Sequence, residues 1–201
     1  MTKPPELILA SLSEARGRLL LAAGVAFEAV SPGVDEAPLK AALIAEGAKP
    51  RDVADALAEA KAVKVSARMP GAFVLGSDQT LDLDGALMDK AETPDEARDH
   101  LLALRGRSHR LHTAAVIAVD GAPIWRVVES ARLHVRAFSN AFLDGYLTAE
   151  ADAATSCAGG YKLEGAGVQL FDRIEGDAFV IQGLPLVQVL GFLRLHGIVA
   201  A

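Results

Sequence analysis

Serines, an arginine, lysines and carboxylates stand beside apolar runs at several points in this chain of 201 residues. Ser11, Ser13 and Arg16 follow the run Leu7–Ala10. Asp78 and Gln79 close the run "AFVLGSD", and Lys162 and Glu164 follow the glycines Gly159 and Gly160. Two loop acids, Asp35 and Glu36, and two lysines, Lys61 and Lys90, complete the set. Hydroxyl, guanidinium and ammonium groups donate to phosphate oxygens. Carboxylates supply hard oxygen ligands for Mg2+, or a general base. Chemistry at a phosphate needs both kinds: neutralised charge on the oxygens and an oriented, partly deprotonated water.

Each of these residues also has an ordinary structural reading. A serine before a helix serves as an N-cap, an aspartate after a strand can cap a turn, and a helical lysine commonly points to water. Two phosphate-binding devices are excluded. No Gly-x-x-x-x-Gly-Lys-[Ser/Thr] occurs, and "GGYKLEGAG" lacks the Gly-x-Gly-x-x-Gly spacing of a dinucleotide fold. His109 and His112, three apart in a strand, face opposite sides and make no zinc pair. His100, His134 and His196 have no Cys or His neighbour at ligand spacing and read as structural or surface residues. Cys157 is the single cysteine. It reads as a buried small residue rather than a nucleophile, and it rules out a disulfide within the chain.

The elements that must position these groups follow from periodicity and turn residues. Leu7–Ala10 reads as a buried strand and Glu14–Ala23 as a helix, with Glu14 a first-turn acid that suits the helix dipole. Phe27–Val30 reads as a second strand and "SPGVDEAP" as a loop. Arg51–Ser66 is helical by the spacing of Val53, Leu57 and Ala60. "AFVLGSD" is a buried strand that presents Asp78 at its end. Asp84-Gly85 and Asp120-Gly121 mark hairpins, the second between two long antiparallel strands. "TPDEARDHLLALRG" is a helix with Thr93 as N-cap, Pro94 at N1, Glu96 closing a capping box and Gly106 after its end. Ser139 caps a short helix. "CAGGYKLEGAGVQLFDRIEG" is rich in turns with strand pieces. An amphipathic helix closes the chain between Pro185 and Gly197; its apolar face is assigned first to the core, with a homodimer face as the alternative. Strands and helices alternate around an antiparallel middle, which gives a mixed α/β fold.

Composition sets the outer limits. Hydrophobic residues make up 51%, enough for a substantial core, and the net charge of −6 argues against nucleic-acid binding. The opening "MTKPPE" has no charged segment leading to an apolar leader. The longest uncharged stretch, residues 178–193, is too short and too polar to span a bilayer. A soluble cytoplasmic protein of one domain over residues 1–201, with two lobes around a cleft, is expected.

The blocks "LILASLSEARGRLL", "VDE", "LAEAKA", "GSDQT", "DK", "CAGGYKLEG" and "LFDRIEGDAFVIQGLPL" occur in the order found in Maf-like nucleotide pyrophosphatases. The chain resembles that family over nearly its whole length. The resemblance implies an elongated mixed α/β sheet with flanking helices and a central cleft, related to the inosine triphosphate pyrophosphatase architecture. It also implies hydrolysis of a nucleoside triphosphate to monophosphate and pyrophosphate with Mg2+ or Mn2+. By the same resemblance Asp78 is the catalytic acid and, with Glu36, the metal ligand. Ser11, Arg16, Lys61, Lys90 and Lys162 hold the substrate, while Gln79, Glu164 and the position of Ala15 bear on base choice. "SDQ" and "CAGGYKLEG" are closest to the 7-methyl-GTP subgroup. Departures lie in the first turn. Glu14 stands where the family has proline, Ala15 where it has tryptophan or arginine, and Gly17 where arginine is common; Ala91 also replaces a proline. Those departures motivate an alternative, a catalytically weakened nucleotide-binding regulator connected with septum formation, and a phosphatase releasing orthophosphate is a third reading.

Overall fold

The computed structural model describes residues 7–200; the "MTKPPE" opening, read above as carrying no leader, lies outside them. The chain builds one seven-stranded mixed sheet in the order β2-β1-β3-β5-β6-β7, with β4 paired to the far end of β3. The strands are β1 (Leu7–Leu9), β2 (Glu28–Ala29), β3 (Phe73–Leu83), β4 (Ala86–Met88), β5 (Ser108–Val119), β6 (Ala122–Val135) and β7 (Phe171–Glu175). Eight α-helices appear among the described residues: α1 (Glu14–Ala22), α2 (Glu36–Ala45), α3 (Pro50–Ser66), α4 (Pro94–Leu104), α5 (Asn140–Ala149), α6 (Ala151–Ser156), α7 (Ala178–Ile181) and α8 (Leu186–Leu195).

β1 runs parallel to β2 and β3, and the rest of the sheet is antiparallel. The parallel strand β1 is buried throughout, as expected where helices cover both faces. The sheet's two faces are packed differently. Ala54, Ala58 and Ala62 of α3 meet Ala114, Val116 and Ala118 of β5. These small side chains let α3 lie close to the sheet. The closest approach is at Gly76, where a Cβ would overlap the Ala58 carbonyl and stand 2.7 Å from the Ala62 nitrogen. On the opposite face Leu186, Val189, Phe192 and Leu193 of α8 pack with Leu7, Leu9, Leu75 and Ile117. The core assignment of the closing helix is borne out; each such buried side chain contributes about 2 kcal/mol. A second apolar cluster gathers Leu81, Leu111 and Leu133 with Leu101 and Leu104 of α4, Leu143 and Tyr146 of α5, and Tyr161.

Both Asp-Gly hairpins form. Asp84 and Gly85 have φ of 54° and 88°, and Asp120 and Gly121 have 50° and 79°, the doubly positive pattern of a type I′ turn. Four sequence expectations are corrected. "SPGVDEAP" is not loop to its end, because α2 starts at Glu36 and carries Pro38 in its first turn, where the missing N–H costs nothing. β3 does not stop at Asp78 but continues to Leu83, so Asp78 sits mid-strand. The second strand is shorter than Phe27–Val30 and covers only Glu28–Ala29. The α4 capping box is half formed. Thr93 Oγ1 accepts from the Glu96 N–H at 3.2 Å, but Glu96 accepts from the Glu92 N–H at 2.8 Å rather than from Thr93.

Candidate active site

The turn between β1 and α1 resolves the roles of its two serines. Ser13 is the N-cap, its Oγ facing the Arg16 N–H at 3.5 Å. Ser11 is buried, and its Oγ accepts from the Ser13 N–H at 3.2 Å and from Arg16 Nη1 at 3.1 Å. With both lone pairs used, the Ser11 hydroxyl proton is free to donate. Arg16 also donates from Nε to the Gly183 carbonyl at 2.8 Å. Burial pulls the Arg16 pKa down from its ordinary value, and the nearby charges of Asp78 and Glu36 pull it back up.

Strand alternation divides the next group. Asp78 and Thr80 lie on the α3 side of β3: Thr80 Oγ1 donates to the Pro50 carbonyl at 2.8 Å, and Lys61 of α3 reaches Asp78. Lys61 is not on a solvated face. It is buried, with Nζ 2.6 Å from Asp78 Oδ1 and 2.9 Å from Glu36 Oε1. Glu36, the first residue of α2, thus converges with Asp78 on one ammonium group. Asp78 Oδ2 has no hydrogen-bond partner among the described residues and is not among the buried unsatisfied atoms. Gln79 lies on the other face, and its amide nitrogen donates to Thr113 Oγ1 at 2.8 Å and to the Val180 and Ile181 carbonyls at 2.9 and 3.1 Å. That leaves the Gln79 carbonyl oxygen as the atom it can offer a ligand.

Ser11, Ala15, Arg16, Glu36, Lys61, Asp78, Gln79, Lys90, Lys162 and Glu164 all line one cleft of about 910 Å³. One wall comes from the first turn, residues 31–34 and α2, the other from residues 87–92 and 156–164. Two ion pairs join the walls, Lys40 with Asp89 and Arg18 with Glu164, the latter at 3.1 Å. Asp35 stands at the N-cap of α2 without a side-chain cap bond and does not line the cleft. Cys157 is corrected: it is half-buried and on the cleft wall, not in the core. Sequence reasoning also missed Lys40, Asp89 and Gln182 in the lining. "APLKAALIAEG" carried a signal for α2, with helix formers ending before Gly47, and that helix would have placed Lys40 one turn after Glu36.

The formal charges lining the cleft cancel. Arg16, Lys40, Lys61, Lys90 and Lys162 face Glu36, Asp78, Asp89, Glu92 and Glu164. A polyanionic ligand would therefore gain from additional positive charge. Among the described residues no three His, Cys, Asp or Glu side chains cluster as a self-contained metal site. Glu36 and Asp78 do converge, and a pair of carboxylates completed by ligand phosphates is how proteins commonly hold Mg2+. The histidines serve structure. His109 Nε2 lies 2.5 Å from the Tyr161 hydroxyl, and His112 contacts Ser130 Oγ at 2.7 Å and Asp82 Oδ2 at 3.2 Å.

A mixed sheet whose cleft gathers hydroxyl, guanidinium, ammonium and paired carboxylate groups defines a protein built to take an anionic ligand. The chain belongs to the Maf-like protein family, whose pattern matches residues 6–196. It is similar to a protein of Caulobacter vibrioides named nucleoside triphosphate pyrophosphatase, with 63% identity over 189 residues covering 94% of each chain. Proteins of the same name from Sphingopyxis alaskensis and Rhodospirillum rubrum are 52% and 50% identical, covering 96% of this chain and 98% and 96% of theirs. Among solved structures, a HAM1 protein from Coxiella burnetii superposes on 67% of this chain and 74% of its own at 16% identity and a TM-score of 0.46. No described helix is long and apolar enough to cross a membrane.

Proposed function

We propose that this protein is a nucleoside triphosphate pyrophosphatase. The observation that carries the reading is the buried Lys61 between Asp78 and Glu36, at 2.6 and 2.9 Å, in a cleft that also holds Arg16 and Ser11. The names of the relatives in Caulobacter, Sphingopyxis and Rhodospirillum support the same substrate class.

The residues divide the work as follows. Arg16, Lys61, Lys90 and Lys162 balance phosphate charge, and the Ser11 hydroxyl donates to a phosphate oxygen. Asp78 accepts a proton from water through Oδ2, while Oδ1 stays on Lys61. The water oxygen bonds to the α-phosphorus as the bond between the α-phosphorus and the oxygen bridging it to the β-phosphorus breaks, and that bridging oxygen leaves with pyrophosphate. The proton passes from Asp78 to solvent. Glu36 and Asp78 are the residues that would hold a Mg2+ or Mn2+ ion, which supplies positive charge to the phosphates. Lys61 fills the point where Asp78 Oδ1 and Glu36 Oε1 meet, so such an ion would sit beside it, on the carboxylate oxygens that the ammonium leaves open.

Gln79, Glu164 and the space left at Ala15 bear on base choice. Gln79 offers a carbonyl oxygen and Glu164 a carboxylate, so this part of the cleft presents acceptors. A carboxylate complements a cationic base, which favours a modified purine such as that of 7-methyl-GTP, although Ala15 gives no aromatic plane to stack on it. The presence of Asp78, Glu36 and Lys61 together in the cleft favours hydrolysis over nucleotide binding alone. Phosphorus NMR of the purified protein with Mg2+ and a panel of triphosphates is the test. The expected products are monophosphate and pyrophosphate in equal amounts. Binding without turnover across the panel would favour the regulator, and orthophosphate release would favour a phosphatase.

A further inference from the structure

Ser77 and Thr113 take no part in the reaction outlined above, yet both are fully buried polar side chains, each 0% exposed. Both are directed at one segment, residues 180–183. Ser77 Oγ donates to the Gly183 carbonyl at 3.1 Å, and Thr113 Oγ1 donates to the Val180 carbonyl at 2.8 Å. Thr113 and Gln79 are paired across β5 and β3, and the Gln79 amide adds its bonds to Thr113 Oγ1 and to the Val180 and Ile181 carbonyls. Three side chains from two neighbouring strands therefore hold the carbonyls of Val180, Ile181 and Gly183 in place.

The Gly183 carbonyl also accepts from Arg16 Nε at 2.8 Å. With Ser77 on the same oxygen, its two lone pairs are occupied. Arg16 has a second anchor at Ser11 Oγ, 3.1 Å from Nη1. A guanidinium is planar, so two bonds on different nitrogens fix its plane. Its other three N–H groups have no partner among the described residues, and the side chain lines the cleft. Gly183 has φ of +100°, and a Cβ there would lie 3.6 Å from Arg16 Nε. Glycine thus supplies the backbone conformation, and a side chain there would meet the arginine only at ordinary contact distance.

We propose that Ser77 and Thr113 are positioning residues. Through the 180–183 segment and the Gly183 carbonyl they set the orientation of the Arg16 guanidinium in the cleft. The inference rests on the reading of Arg16 as a phosphate-binding group. An arginine released from these anchors samples many rotamers, so its contribution to anion binding falls although its charge remains. A role in general stability would weaken the protein regardless of what stands at position 16. The positioning role requires Arg16.

A double-mutant cycle separates the two, using the full chain and inorganic tripolyphosphate as the calorimetric probe. Ser77→Ala is expected to weaken binding roughly three- to tenfold, the size of one hydrogen bond's net effect. In an Arg16→Lys background the same substitution should cause no further loss. Thr113→Val serves as a second variant in the same cycle, and Thr113→Ser, which keeps the hydroxyl, should restore wild-type affinity. Equal losses in both backgrounds, or no loss in either, would overturn the proposal. Coupled binding without hydrolysis of any nucleoside triphosphate would uphold the positioning role and overturn the hydrolytic reading. A wild-type protein that fails to bind tripolyphosphate would overturn both.

Discussion

The two faces of β3 do different work with adjacent residues. On the face toward α3, Gly76 admits the helix backbone, and Asp78 meets a buried ammonium at 2.6 Å. On the opposite face Ser77 and Gln79 make only neutral hydrogen bonds to the 180–183 segment. On the proposed reading, charge and reaction belong to the first row, alignment to the second. A single strand can thus serve both purposes because its side chains alternate, and each row can be altered without rewriting the other.

The largest expected effect lies on the charged row. Asp78→Asn should lower turnover by about 10²–10⁴-fold, the usual weight of a general base, with an unchanged circular dichroism spectrum. Loss of the fold instead would show that the two rows are not separable. The next effect comes from beyond the cleft, at His109. Burial, with a smaller contribution from the charge of His134, lowers its pKa from 6.5 to about 4, and its Nδ1 has no partner. The unfolded chain therefore binds a proton that the folded protein refuses between those values. The stabilisation is complete above pH 6.5 and is lost as pH falls toward 4, by roughly 3 kcal/mol. Thermal melts at pH 7 and pH 4.5 should differ accordingly, and His109→Gln should shrink the difference.

Gly76→Ala sharpens the comparison from the packing side. The added methyl forces α3 away from the sheet and should cost about 1–3 kcal/mol of stability, moving Lys61 with the helix. Denaturant midpoints measure the first effect and triphosphate turnover the second; a variant with both unchanged would mean that the close approach does not position Lys61. The smallest effect is expected at Arg18. Its pair with Glu164 joins side chains 61% and 34% exposed, so Arg18→Ala should change the unfolding free energy by no more than about 1 kcal/mol. A larger loss would mean that this pair, rather than the buried row, holds the cleft walls.

Much of this was legible in the sequence for identifiable reasons. Asp78 closes the strand-like segment "AFVLGSD", and both Asp-Gly turns carry their own conformational preference. The ten residues to which the family resemblance pointed line one cleft, while Asp35 does not; the roles of the ten in turnover are assigned by the reading above. The alignment row was not legible. Ser77 and Gly183 lie 106 residues apart, and Thr113 and Val180 lie 67 apart. Hydrogen bonds over such separations leave no periodic trace. Nor could local pattern place Lys61 inside: a lysine on a helical face reads as solvated until the two carboxylates that receive it are seen in space. The helix α2 was missed because Pro and Gly near its start outweighed the helix formers that follow.

The central claim is that the cleft directs water, through Asp78, to the α-phosphorus of a nucleoside triphosphate. Hydrolysis in water enriched in oxygen-18, with mass analysis of both products, tests it most directly. The label is expected in the nucleoside monophosphate, with pyrophosphate unlabelled and Asp78→Asn nearly inactive under the same conditions. Label in the pyrophosphate, or turnover by Asp78→Asn close to wild type, would contradict the account.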